Sequence, residues 1–215
     1  TATAPAGSVA EVTPERIEAA MAALRGPIKQ IPSSVSAIKV DGVRAYKRVR
    51  DGEDVQLAAR AVTIAELELL APHDALAGGE PVVDLEIRVS CSSGTYIRAL
   101  ARDLGAALGT GAHLTALRRT RVGDFSIADA VAPDADELEK RLMTPSQAAL
   151  RRFRAFEATA QQAADIRNGK KLRLSEPVDD GLLAAIDPEG DLIGIARAAG
   201  GVVKSEFNMP TGANT

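Results

Sequence analysis

The sequence predicts an α+β chain: part of a mixed or antiparallel sheet domain with helices, followed by a small β-rich module. Three observations carry this. "VVDLEIRVSC" (82–91) alternates apolar and polar residues, "TYIRALARDLGAALG" (95–109) repeats apolar residues at helical spacing, and the stretch beyond about 150 reads as a helix with three strands. At 215 residues and 46% hydrophobic content, the chain has material for one large domain and one small one.

Taken in order, "TPERIEAAMAALRG" is the first helix, with Thr13 as cap, Pro14 at the first helical position and Gly26 as the stop. Ile17, Ala20, Met21 and Leu24 share its buried face. "SAIKV" is a strand, and Asp41-Gly42 predicts a hairpin turn. The arm that follows has little to bury beyond Val43, Tyr46 and Val49, so 33–56 is expected as a projecting excursion. "AVTIAELELL" returns as a strand and "HDALAGGEP" (73–81) is a loop. In the next strand Val83, Leu85, Ile87, Val89 and Cys91 share one face, with Asp84, Glu86, Arg88 and Ser90 on the other. Gly94 turns the chain into a helix through Ile97, Leu100, Ala101, Leu104 and Leu108, stopped by Gly109. A strand is expected around 124–127, and a boundary in the Pro- and Asp-rich stretch 129–150. Beyond it, "FEATAQQAADIRNG" is a helix, "LLAAIDPEGDLIGIARA" two strands about a Pro-Glu-Gly-Asp turn, and "VVKSEF" a third strand.

Composition narrows the function classes. A lone cysteine, Cys91, forms no internal disulfide and fits a reducing cytoplasm. No apolar run approaches the ~18 residues of a membrane span. Net charge is −3, which argues against a generic nucleic-acid coat, yet "KVDGVRAYKRVR" (39–50) holds five basic residues against one acidic, and "RRTR", "RRFR" and "RNGKKLR" are also basic. A localised anionic partner is consistent with that distribution. Of the two histidines, His73 is expected exposed in an acidic loop and His113 as a packing or capping residue. One Cys and two His make no familiar zinc site, and no Gly-rich phosphate loop occurs, so no metal, nucleotide or other cofactor is expected. The opening "TATAPAGSVAEVTPE" reads as a loop feeding a helix, without an initiator Met. The expectation is a portion of a longer protein, with a processed N-terminus as the alternative.

One residue stands out. Arg98 follows Tyr96 at the strand-to-helix step, and the helical positions in register with it are Gly94, Thr95, Ala101 and Arg102, none acidic. Asp103 lies on a different face. Something anionic belongs near Arg98: a phosphate, or a carboxylate from elsewhere in the protein.

"PSSVSAIKVDGVRAYKRVRDG", "CSSGTYIRALARDLGAALGTGAHLTALRRTRVGDF" and their separation resemble the TruB family of bacterial tRNA pseudouridine synthases, across most of residues 13–128. The tail resembles the small PUA-like domain of actinobacterial members. The resemblance implies 1–130 as the C-terminal part of a pseudouridine-synthase catalytic domain with a thumb-like insertion at about 33–56, a linker at 131–149, and a PUA-like RNA-binding domain at 150–215. It implies that Arg98 ion-pairs with the nucleophilic aspartate and that Leu117 packs against the target base. Lys39, Arg44, Lys47, Arg48, Arg118 and Arg119 become contacts to the tRNA T-arm, with Tyr46 packing or stacking there. The family's aspartate lies in a "GTLDP"-like motif, and these 215 residues contain none. The implied reaction is therefore isomerisation of uridine to pseudouridine at tRNA position 55 by a longer, monomeric protein, without a cofactor, with this chain alone inactive. Attack first at the sugar or at the ring is left open. A non-catalytic tRNA-binding protein derived from the family is the alternative.

Overall fold

The computed structural model describes residues 9–32, 39–40, 43–44, 50, 57–174, 176 and 178–210. Its contacts divide the chain into two compact units, Thr1–Leu117 and Arg118–Thr215.

In the first unit a short 3-10 turn (Val9–Glu11) precedes helix α1 (Pro14–Leu24). The Thr13 hydroxyl accepts from the Arg16 amide at 3.4 Å, and Pro14 occupies the first turn, where a missing N–H costs nothing. Ile17, Ala20 and Met21 are buried as their spacing predicts. Gly26 does not stop the helix. Arg25 ends it in an extended conformation, and Gly26 opens strand β1 (Gly26–Gln30), which the sequence reading missed. "GPIKQ" has a leading Gly-Pro and one apolar residue. Its position at a sheet edge is where a proline is tolerated.

Strand pair β2 (Lys39–Val40) and β3 (Val43–Arg44) follows, antiparallel with Lys39 opposite Arg44. That is the pairing the Asp-Gly signal predicts. The remainder of the expected excursion lies outside the described residues.

The long strands β4 (Arg60–Ala77) and β5 (Glu80–Cys91) complete an antiparallel sheet of order β1-β4-β5. The stretch 73–81 is therefore not a loop. Residues 73–77 pair with 80–84 in continuous register, and Gly78 and Gly79, at φ +61° and +90°, make the two-residue turn. Positive φ at both central positions matches the twist of the flanking strands, and glycine takes it without a Cβ penalty. A register shift between Ile64 and Glu66 explains why Leu67, rather than Glu66, is buried after Val62 and Ile64, and a second shift lies between Leu69 and Ala71. In β5 the alternation holds at Leu85, Ile87 and Val89, which pack against the core. Cys91 departs from it: at the strand end it is exposed.

Helix α2 (Ile97–Leu108) lays Leu100, Leu104 and Leu108 into a core with Ile17, Met21 and Ile64. Gly109, in the left-handed conformation, ends it as expected. His113 neither packs nor caps: it is exposed in the irregular stretch after the helix.

In the second unit a small hairpin, β6 (Arg121–Val122) and β7 (Phe125–Ser126), precedes two 3-10 turns and helix α3 (Pro145–Leu150). The five-stranded sheet has order β8-β10-β11-β12-β9: β8 (Arg154–Glu157), β9 (Leu172–Arg173), β10 (Gly181–Ile186), β11 (Leu192–Ala199) and β12 (Val202–Asn208). It is mixed, because β8 runs parallel to β10 while the other pairs are antiparallel. The helix expected from Phe156 begins later, as α4 (Ala160–Arg167), because Thr159 and Gln162 form a reciprocal capping box. Phe156 belongs to β8 instead. Ile166 of α4 packs with Leu183, Ile193 and Val203 from the sheet.

The Pro-Glu-Gly-Asp turn between β10 and β11 is closed by Asp187, only 8% exposed. Its carboxylate accepts from the Asp191 amide at 2.9 Å and from the Arg167 guanidinium at 2.5 Å. Burial pushes the Asp187 pKa up, but those donors outweigh it and hold the carboxyl below its ordinary value.

Candidate active-site arginine and its frame

The junction between β5 and α2 is fixed from two directions. At Ser92 the backbone amide donates to the Thr63 carbonyl at 2.8 Å, and the Thr63 amide donates to the Ser92 hydroxyl at 2.9 Å. The Thr95 hydroxyl returns to the Ser92 carbonyl at 2.8 Å, closing the turn that contains Gly94. At Tyr96, the N-cap of α2, no side chain caps the helix. The buried side chain of Gln30, 1% exposed, instead grips the backbone of the N-cap residue itself: its amide NH₂ donates to the Tyr96 carbonyl at 3.1 Å, and its oxygen accepts from the Tyr96 amide at 2.8 Å. The same Tyr96 carbonyl receives the amides of Ala99 and Leu100, both at 3.0 Å.

Arg98 rises from this first turn between Ile97, which is half-buried, and Ala99, which is buried. It is exposed, and no hydrogen bond or ion pair engages it among the described residues. Its neighbour one turn on, Arg102, is occupied otherwise. It pairs with Asp103 at 2.7 Å and donates to the Ile31 carbonyl at 2.9 Å. The two cations one turn apart are thus unequal: one is neutralised locally, and Arg98 has no counter-charge among the described residues.

The other expected site residues fall into three groups. Lys39 and Arg44 are brought together as cross-strand partners in the β2–β3 hairpin. Tyr46, Lys47 and Arg48 lie outside the described residues. Leu117 is 60% exposed, in the irregular stretch past α2. Arg118 and Arg119, which open the second unit, are exposed and unpaired among the described residues. Gln30 is the residue that sequence reasoning missed. Its one signal was a glutamine followed by Ile31-Pro32, too weak to place it opposite a peptide 66 residues away. Among the described residues no group of three or more His, Cys, Asp or Glu is arranged to hold a metal ion. None of the helices among them is long and apolar enough to cross a membrane.

Three family models match in succession: the TruB family pseudouridylate synthase N-terminal domain over residues 2–97, the tRNA pseudouridylate synthase B C-terminal domain over 98–153, and the tRNA pseudouridine synthase II C-terminal domain over 153–210. The chain is 47% identical over 197 residues to the tRNA pseudouridine synthase B of Streptomyces coelicolor, covering 91% of this chain and 65% of that protein. To the protein of the same name from Leifsonia xyli subsp. xyli it is 46% identical over 210 residues, covering 94% and 67%. The chain thus spans only part of the length of these relatives. Among solved structures, a Cbf5-Nop10-Gar1 complex superposes with a TM-score of 0.63 at 22% identity, covering 93% of this chain and 63% of that one. An H/ACA RNP bound to a substrate RNA containing 2'-deoxyuridine gives 0.61 at 21%, covering 93% and 62%. These two establish a shared fold. On the strength of its sequence relatives, the chain belongs to the TruB family of pseudouridylate synthases.

Proposed function

We propose that this chain is the part of a tRNA pseudouridine synthase that holds the nucleophilic aspartate in place and grips the T-arm of tRNA, for isomerisation of uridine to pseudouridine at position 55. The observation that carries the proposal is Arg98: exposed, unpaired among the described residues, and set on a helix start tied to two strands. A planar guanidinium grips a carboxylate through two parallel hydrogen bonds, which fixes its direction and keeps it ionised. No "GTLDP"-like stretch occurs in these 215 residues, so the aspartate that Arg98 meets comes from outside them. On this reading the 215 residues alone do not turn over tRNA.

In the reaction the target uridine leaves the T-loop stack, as chemistry on an enclosed base requires. The glycosidic bond breaks, the uracil turns, and it rejoins the sugar through carbon. Leu117 supplies an apolar cover for that base, consistent with its exposed side chain. Lys39, Arg44, Lys47, Arg48, Arg118 and Arg119 meet phosphates and set the register of the RNA, with Tyr46 packing against it. The segment 150–215 acts as a PUA-like RNA-binding domain. The working protein is a cytoplasmic monomer.

The test is Arg98→Lys in the complete gene product. One positive charge remains but the two-pronged grip does not, so turnover of tRNA should fall by about 100-fold or more while tRNA affinity stays within about threefold. Near-normal turnover removes Arg98 from the mechanism. Normal binding with no turnover by the unsubstituted protein would favour the tRNA-binding alternative.

A further inference from the structure

We propose that Gln30 is a positioning residue for Arg98, acting through the Tyr96 peptide; the inference rests on the reading of Arg98 given above. The side chain is 1% exposed and both of its polar ends are spent on the backbone of one residue, the Tyr96 N–H and C=O. A helix start is ordinarily held by its own N-cap side chain. Here Tyr96 supplies no such bond, so the direction of the first turn is set from β1. The Tyr96 carbonyl that Gln30 engages is also the acceptor for Ala99 and Leu100, the two hydrogen bonds that close the turn around Arg98. A second tie reinforces it: Arg102, one turn on, donates to the carbonyl of Ile31, next to Gln30. The end of β1 and the first turn of α2 therefore form one hydrogen-bonded block, with Arg98 between its two ties.

This block matters because Arg98 itself is exposed and makes no hydrogen bond or ion pair among the described residues. Its aim depends on its backbone. A bidentate grip tolerates little error, and a displacement of about 1 Å at a positioning group costs on the order of 100-fold in rate.

The test uses the complete gene product with four variants: Gln30→Leu, Gln30→Asn, Arg98→Lys, and Gln30→Leu combined with Arg98→Lys. Leucine keeps most of the volume but neither bond; asparagine keeps the amide one methylene short and carries the same test should the leucine variant not fold. Gln30→Leu is expected to lower kcat about 10- to 100-fold with KM for tRNA within about threefold. Because Gln30 acts through Arg98, the double variant is expected to be no slower than Arg98→Lys by more than about threefold. A merely structural strut predicts something different, losses that multiply in the double variant; that result, or an unchanged kcat in the folded single variant, overturns the proposal. Exchange of the Tyr96 amide with solvent gives a readout independent of activity, expected to accelerate at least about tenfold in Gln30→Leu. Unchanged protection there also overturns it. Near-normal turnover in Arg98→Lys alone instead marks failure of the Arg98 reading.

Discussion

Gly105 lies mid-helix in α2, where replacing glycine by alanine ordinarily adds about 1 kcal/mol of stability. The structure reverses that sign. A Cβ on Gly105 would stand 2.3 Å from both the Ala112 nitrogen and the Gly111 carbonyl carbon, whereas ordinary contact begins at 3.4 Å. The obstacle is backbone, so no side-chain rotamer relieves it. The stretch 110–112 would have to retreat by about 1 Å, against the tendency of close-packed interiors to resist such shifts. That stretch is itself bonded to Gly105: the amides of Thr110 and Gly111 both donate to its carbonyl at 3.1 Å. Losing two such bonds costs about 2 kcal/mol, and overpacking adds about 1–3 kcal/mol, against the propensity gain of about 1 kcal/mol. Gly105→Ala should therefore destabilise by about 2 kcal/mol or more. Urea unfolding, with amide exchange across Leu104–Leu108 to localise the loss, measures it. The control is Ala106→Gly at the exposed neighbouring position, expected to cost only about 1 kcal/mol. A Gly105→Ala protein as stable as the parent would refute the reasoning, because it would mean that the stretch after α2 yields freely.

Two further outcomes are expected. Asp187 is held below its ordinary carboxyl value of 3.8, so the stabilisation it supplies is full above that value and is lost as pH falls through the lower, folded-state one. Asp187→Asn should then cost about 1–3 kcal/mol of second-unit stability at pH 7 and progressively less as the pH drops below about 4; an equal deficit at pH 7 and pH 3 would count against the Arg167 pairing as its source. Neutralising Lys47 and Arg48 together should weaken tRNA binding and reduce the steepness of its salt dependence by up to about 1.4–1.8 in logarithmic slope, and an unchanged slope would mean that neither residue meets phosphate.

Much of the architecture was legible because it rests on local chemistry. β5 shows in its alternation, α2 in the spacing of Leu100, Leu104 and Leu108, the β2–β3 pairing in Asp41-Gly42, and the β10–β11 turn in Pro-Glu-Gly-Asp. What escaped was set by partners distant in sequence. β1 carries a proline and a single apolar residue, and only its antiparallel neighbour β4 makes it a strand. Residues 73–77 look like a loop by composition, yet Gly78-Gly79 reverses the chain tightly enough for them to pair. The site divides the same way. Arg98 could be singled out from the sequence because helical periodicity alone showed that no acid lies in register with it. Gln30 could not, because a glutamine declares nothing until its partner is known, and that partner is a peptide group rather than a side chain.

By itself, then, the sequence determined the main periodic elements, the Thr13 and Gly109 caps and an arginine without a local counter-charge, since these depend on residues within a few positions of one another. Tertiary structure alone decided that Arg102 reaches the Ile31 carbonyl while Arg98 has no partner among the described residues, and that a buried amide from an edge strand holds the helix start. Hydrogen bonds between strands and helices far apart in the chain carry no periodic trace, and only the folded geometry brings their donors and acceptors within reach.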